Sequence, residues 1–121
     1  MHLRRLGYWL GPDAPGWPDV GRFVDAEWDA DVRAEVWSYV RAGFPARAYL
    51  GPSMCRFCGE AVGSLELSDG VFIWPEGLAH YVREHAVRLP DLFVEHVHAR
   101  VLELEEAPVD DDWWRTSTAD S

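Results

Sequence analysis

The 121-residue chain has no lysine, asparagine or glutamine, and only one isoleucine. All 11 of its basic residues are arginines, a bias expected of a GC-rich bacterial genome and without mechanistic content. The missing asparagine removes the usual residue of an HNH-type nuclease. Positive charge is scarce: 11 basic residues face 21 acidic ones, for a formal charge of −10 and a pI near 4.7. DNA-binding modules neutralise phosphates with clustered Lys and Arg and are usually basic. From Glu103 onward seven acids face Arg115 alone, a net −6, which leaves −4 for residues 1–102. The body is therefore acidic even without its tail. Residues 75–87 set Arg83 against Glu76 and Glu84 and offer no phosphate-tracking stripe. A nucleic-acid partner is disfavoured, with Arg41, Arg47 and Arg56 as a small local patch for RNA or an acidic partner.

No run of 18 apolar residues exists, so no membrane-spanning helix is expected. The start, Met1-His-Leu-Arg-Arg-Leu, lacks the long apolar segment of a signal peptide. Cysteine is limited to two residues, and thiols in a chain without secretory features point to a reducing cytoplasm rather than to a disulfide. Nearly half the chain is hydrophobic and seven residues are tryptophan, which excludes global disorder. The length suits one domain with a modest core.

The two cysteines stand as Cys55-Arg-Phe-Cys58-Gly, and after 21 intervening residues comes His80-Tyr-Val-Arg-Glu-His85. A C-x2-C followed by H-x4-H supplies two thiolates and two imidazoles, the donors that Zn2+ takes into a closed tetrahedron at structural sites. Cys55, Cys58, His80 and His85 are thus the candidate ligands of one structural zinc. Between the pairs, residues 60–68 carry the alternation Val62, Leu65, Leu67. Asp69-Gly70 is a hairpin dipeptide, and Val71-Phe72-Ile73-Trp74 is a β-rich run. Pro75 is expected to open a helix, with Glu76 complementing its dipole. The layout is a ββα zinc-finger plan of knuckle, hairpin and helix, spanning residues 52–88.

Histidines five apart on a regular helix diverge by about 140°. The helix must therefore distort or end near residues 83–85 if His85 is to be a ligand. His96 and His98, two apart on a helix, diverge by about 200° and cannot chelate together. They read as solvated surface positions, with substitution of one of them for His85 as the alternative.

Other chemistries fit less well. Thioredoxin-like redox pairs open a helix after a strand, whereas this pair precedes a glycine and a hairpin. Ordinary buried thiols beside unrelated histidines remain a plain alternative. Iron–sulfur ligation needs four cysteines or a Rieske order. His80-x3-Glu84-His85 is one residue too long for an inverted zincin, and no H-x-E precedes Cys55 as in zinc deaminases. Two thiolates and two histidines close the shell, so a structural metal is expected rather than a zinc-dependent hydrolase. No catalytic residues are assigned, and no other cofactor.

The flanks complete an α+β unit. Residues 1–24 are read as an irregular N-terminal segment with a candidate edge strand over 6–10. Asp29 caps a helix to about Ala42 with Val32, Val36, Tyr39 and Val40 on one stripe. Phe44-Pro45 closes that helix, and residues 46–50 are extended. Pro90 opens a helix through Leu92, Phe93, Val97, Val101 and Leu104 to about Glu106. Residues 25–107 form the zinc-binding domain, with the flanking N- and C-terminal helices packing on the finger. Residues 108–121 form a flexible acidic tail carrying Trp113-Trp114, which must dock on this domain or on a partner to cover its apolar surface. Trp28, Trp37, Phe72 and Trp74 read as core, with a peptide-binding aromatic surface as the alternative.

The stretch Cys55-Arg-Phe-Cys58-Gly, the run Leu67-Ser-Asp-Gly-Val-Phe-Ile-Trp-Pro-Glu-Gly-Leu-Ala-His-Tyr-Val-Arg-Glu-His85, and Val87-Arg-Leu-Pro90 resemble a group of short uncharacterised bacterial proteins. These share a Trp-Pro-Glu-Gly-Leu-x-His-Tyr block followed by a second histidine. The resemblance covers roughly residues 25–100 and implies a shared zinc-finger-like fold, without a reaction. Ros-type DNA-binding fingers differ, having a shorter cysteine-to-histidine spacing and basic flanks. The sequence thus points to a small cytoplasmic zinc protein, acting as a protein-interaction or accessory module. A nucleic-acid-binding regulator is the alternative.

Overall fold

The computed structural model describes residues 1–119; Asp120 and Ser121, the end of the expected tail, lie outside the described residues. The chain is α+β. Helix α1 (Ala30–Arg41) precedes strand β2 (Phe44–Ala48), the hairpin β3 (Leu65–Ser68) and β4 (Phe72–Pro75), then helices α2 (Leu78–Glu84), α3 (Asp91–Glu106) and the single turn α4 (Asp112–Arg115). A two-residue strand, β1 (Arg4–Arg5), completes a mixed sheet of order β1-β4-β3-β2, parallel at β1 and antiparallel elsewhere.

Asp29 begins α1 because its carboxylate accepts the Asp31 and Val32 N–H groups, both at 3.0 Å, at a helix end that has no other acceptor for them. The hairpin turn is built the same way. Asp69 Oδ1 accepts from Val71 N–H at 2.9 Å and Phe72 N–H at 2.8 Å, so the side chain replaces the missing backbone acceptor.

Three expectations are corrected. Pro75 does not start a helix: it ends β4 opposite Glu66, at a ladder position that requires no N–H from it. The helix starts two residues after Glu76, whose carboxylate accepts Ser64 N–H at 3.0 Å and Leu65 N–H at 3.2 Å instead of serving the helix dipole. The edge strand is Arg4–Arg5 rather than 6–10, with Leu6 N–H continuing the ladder to the Ile73 carbonyl at 3.0 Å. Trp9 leaves the sheet and enters the core. Phe44 and Pro45 belong to β2, because a bulge between Pro45 and Arg47 lets the strand continue past the proline on an outer edge.

The core lies between sheet and helices. Trp74 is fully enclosed and donates its indole N–H to the Val40 carbonyl at 2.9 Å, which ties β4 to the end of α1. Phe93 of α3 meets Phe72 edge-on at 5.0 Å and Trp74 at 5.9 Å. Helix α1 packs on both α2 and α3. Trp28 and Phe72 are buried as expected. Trp37 is half-buried, flanked by the guanidinium groups of Arg41 and Arg83, each 4.7 Å from its ring. Among the described residues no helix is long and apolar enough to cross a membrane. Trp113 and Trp114 meet at 5.8 Å with their rings tilted by 57°, and both stay exposed.

Candidate metal centre

The chain between β2 and β3 folds back on itself. Ser53 and Gly63 pair through Ser53 N–H to the Gly63 carbonyl at 2.8 Å, while Val62 N–H returns to Ser53 at 2.9 Å. At the tip, Cys55 N–H reaches the Glu60 carbonyl at 2.8 Å and Gly59 N–H reaches the Cys55 carbonyl at 2.9 Å. Phe57 N–H points at Cys55 Sγ, 3.4 Å away, and so offers a donor to the sulfur. This is the knuckle that the C-x2-C spacing implies. Cys55 is buried under it and Cys58 is exposed.

Helix α2 brings the imidazoles. Its N-cap, Gly77, lies directly against the knuckle: a Cβ there would fall 2.4 Å from Val62 Cγ2 and 3.2 Å from the Val62 carbonyl oxygen. Only glycine lets the helix approach so closely. The helix stops at Glu84, in the region that the five-residue histidine spacing demands. His85 leaves helical geometry (φ −124°, ψ 13°), and Ala86 has φ 51°, the one positive φ outside glycine among the described residues. The break rotates the His85 ring back toward His80. Arg33 of α1 supports the break by donating Nε to the Val82 carbonyl at 2.8 Å and its NH2 group to the Arg83 carbonyl.

These elements bring together all four residues that the spacing singled out: one donor atom each from Cys55, Cys58, His80 and His85 lies within 4.8 Å of the others. Cys58 Sγ is 3.4 Å from His80 Nε2, and His80 Nε2 is 3.2 Å from His85 Nε2. Bonds of 2.0–2.3 Å to a tetrahedral ion set its ligands about 3.3–3.8 Å apart. The two measured separations are close to that edge length. The group can hold a metal ion.

His96 and His98 lie elsewhere. His98 is exposed beside Glu35 at 3.2 Å, as a solvated position should be. His96 is not solvated. It is half-buried, with Nε2 2.7 Å from Asp69 Oδ2 and its ring 4.9 Å from Phe72. Helix α3 packs this face onto the hairpin, which helical spacing alone does not reveal. Neither histidine replaces His85 in the cluster.

Sequence reading missed the neighbours of the four donors. Glu60 Oε2 lies 3.7 Å from Cys58 Sγ and 4.0 Å from His80 Nδ1. Phe57 packs on the His85 ring at 4.8 Å, and the Tyr81 hydroxyl accepts Arg56 N–H at 2.8 Å. An acid two residues after the second cysteine, and an aromatic between the cysteines, are the signals that could have found the first two. The backbone N–H at Glu60 pulls the Cys58 thiol pKa down, but desolvation and the nearby Cys55 and Glu60 outweigh it and push the value up. A cation between the sulfurs opposes that push, since thiolate is the ligating form. Burial raises the Tyr81 hydroxyl against the Arg56 N–H, so it stays a neutral acceptor.

Compared with known proteins, the chain matches no family model, no curated protein and no solved structure.

Proposed function

We propose that this is a small zinc protein in which one structural Zn2+ per chain, held by Cys55, Cys58, His80 and His85, locks the knuckle to α2 in a zinc-finger-like centre. The observation that carries the reading is the pair of donor separations, 3.4 and 3.2 Å, close to the edge length of a zinc tetrahedron. Two sulfurs and two imidazole nitrogens select zinc by donor type. Four protein donors leave no open position for substrate, so the metal organises rather than catalyses. The module then works through its surface. An acidic body and tail, with Trp113 and Trp114 exposed, suit a protein partner better than a nucleic acid, and thiolate ligation suits a reducing cytoplasm. The resemblance to short bacterial proteins with the same Cys–His block agrees with this reading.

Native mass spectrometry of protein purified without added metal tests the centre. One zinc per chain is expected, lost together with thermal stability in Cys58→Ser and His85→Ala. In zinc-finger peptides such a site is worth roughly 10–16 kcal/mol in apparent terms. A metal-free chain whose melt is unchanged by a strong chelator would overturn the reading. A salt-sensitive shift of duplex or single-stranded probes would move the partner to nucleic acid.

A further inference from the structure

Beside the knuckle, and separate from the donor atoms, a cleft of about 250 Å³ opens between the N-terminal segment and residues 49–62. Its walls are aromatic: Tyr8, Trp9, Tyr49 and Tyr81, with Arg56 at the knuckle side. We infer that this cleft binds a small planar aromatic carboxylate, with the carboxylate toward Arg56 and a hydrogen-bond donor on the ring toward Tyr49. The inference goes beyond the zinc reading and does not rest on it.

The hydrogen bonds set the polarity of each end. Tyr8 donates its single hydroxyl hydrogen to Glu66, a buried carboxylate that Arg5 also approaches at 3.4 Å. Tyr8 and Tyr49 are 2.9 Å apart, so Tyr49 is the donor of that pair and its own hydrogen is used. The Tyr49 oxygen is left with lone pairs alone, an acceptor in search of a donor. Burial first, then the bond to Glu66, holds the Tyr8 hydroxyl protonated and keeps the chain of donors running this way. At the other end, no acid pairs with Arg56 among the described residues. Its guanidinium lies against Gly11, where a Cβ would come within 2.6 Å of Cζ. Trp9 lines the cleft, and its indole N–H is enclosed without a hydrogen-bond partner among the described residues, which makes its resonance a reporter of what happens beside it. A cation is a poor occupant, because Glu66 is already served by Tyr8 and Arg5 while Arg56 repels positive charge. Size agrees, since a cavity of about 150 Å³ holds benzene and the larger volume leaves room for two substituents.

The test is titration of the protein as purified with 4-hydroxybenzoate and benzamidine, followed through the Trp9 indole N–H resonance and by calorimetry. Saturable binding of 4-hydroxybenzoate in the millimolar range or tighter is expected, weakened about tenfold in Arg56→Met and reduced in Tyr49→Phe, with no saturation by benzamidine. Zinc content and melting temperature report whether Arg56→Met folds. If it does not, Gly11→Ala displaces the guanidinium and should weaken binding by itself. Absence of saturation up to about 10 mM, equal binding of benzamidine, or unchanged affinity in a folded Arg56 or Gly11 variant would overturn the inference.

Discussion

Gly63→Ala should destabilise the fold through one identifiable partner. Gly63 has φ 118°, which L side chains rarely adopt, at a strain of about 1–3 kcal/mol. A Cβ there would sit 2.2 Å from Glu76 Oε1, 2.5 Å from Cδ and 2.8 Å from Cγ, so the whole carboxylate must leave. It accepts two backbone N–H bonds, from Ser64 and Leu65, and it is half-buried. Hydrogen bonds to charged groups contribute about 1.5–3 kcal/mol when buried, so about 1 kcal/mol each is reasonable here. The substitution should cost about 3–5 kcal/mol in total. Glu76→Ala removes the obstacle along with its two bonds, so Gly63→Ala in that background should cost only the backbone strain. A double-mutant cycle by urea unfolding of the zinc-loaded protein should therefore return a coupling of about 2 kcal/mol. An equal cost of Gly63→Ala in both backgrounds would refute the argument and leave backbone strain as the whole effect.

Acid titration should expose Asp69. Burial opposes its charge, but the Phe72 N–H, the Tyr39 hydroxyl, the Val71 N–H and His96 together hold its pKa at about 2. A carboxyl depressed on folding contributes stability above its unfolded value near 3.8, lost as pH falls toward 2. Asp69→Asn should flatten that part of the pH–stability profile, by about 1–2 kcal/mol. An identical profile in the variant would place the acid sensitivity elsewhere. Trp74→Ala should cost about 3–5 kcal/mol in equilibrium unfolding, because a fully enclosed ring and its bond to Val40 are lost together. A loss below 1 kcal/mol would mean that the surrounding aromatics collapse into the space. Ala86→Gly should keep zinc stoichiometry and hold stability within about 1 kcal/mol, whereas Ala86→Val should be clearly less stable, as a β-branched residue resists φ 51°. Equal melts for the two variants would remove the backbone break as a determinant of His85 placement.

Local chemistry carried much of the fold into the sequence. The cap at Asp29, the Asp69-Gly70 turn and the start of α3 after Pro90 each depend on a few neighbouring residues, and each is where the pattern puts it. The misjudged elements depend on distant partners. Pro75 has a helix-starting residue type, yet the ladder to β3 holds it in a strand. Glu76 has the sign expected of a helix start, yet the N–H groups of Ser64 and Leu65, where β3 begins, are its real partners. His96 has a surface pattern, yet α3 turns it onto Asp69.

The four candidate donors were legible from residue type and spacing alone, because metal ligation restricts both. Spacing also required a break before His85, since a regular helix cannot turn two histidines five apart toward one point. What spacing leaves open is how the break is made. Ala86 in the left-handed region, Arg33 reaching across from α1, and Gly77 pressed on Val62 bring the imidazoles to the knuckle. The cleft of Tyr8, Tyr49 and Arg56 was invisible in the sequence, because its walls come from segments more than 40 residues apart that only the sheet brings together. Local bonding and ligand chemistry are written into short runs of residues; close approach between remote segments exists only once the chain has packed.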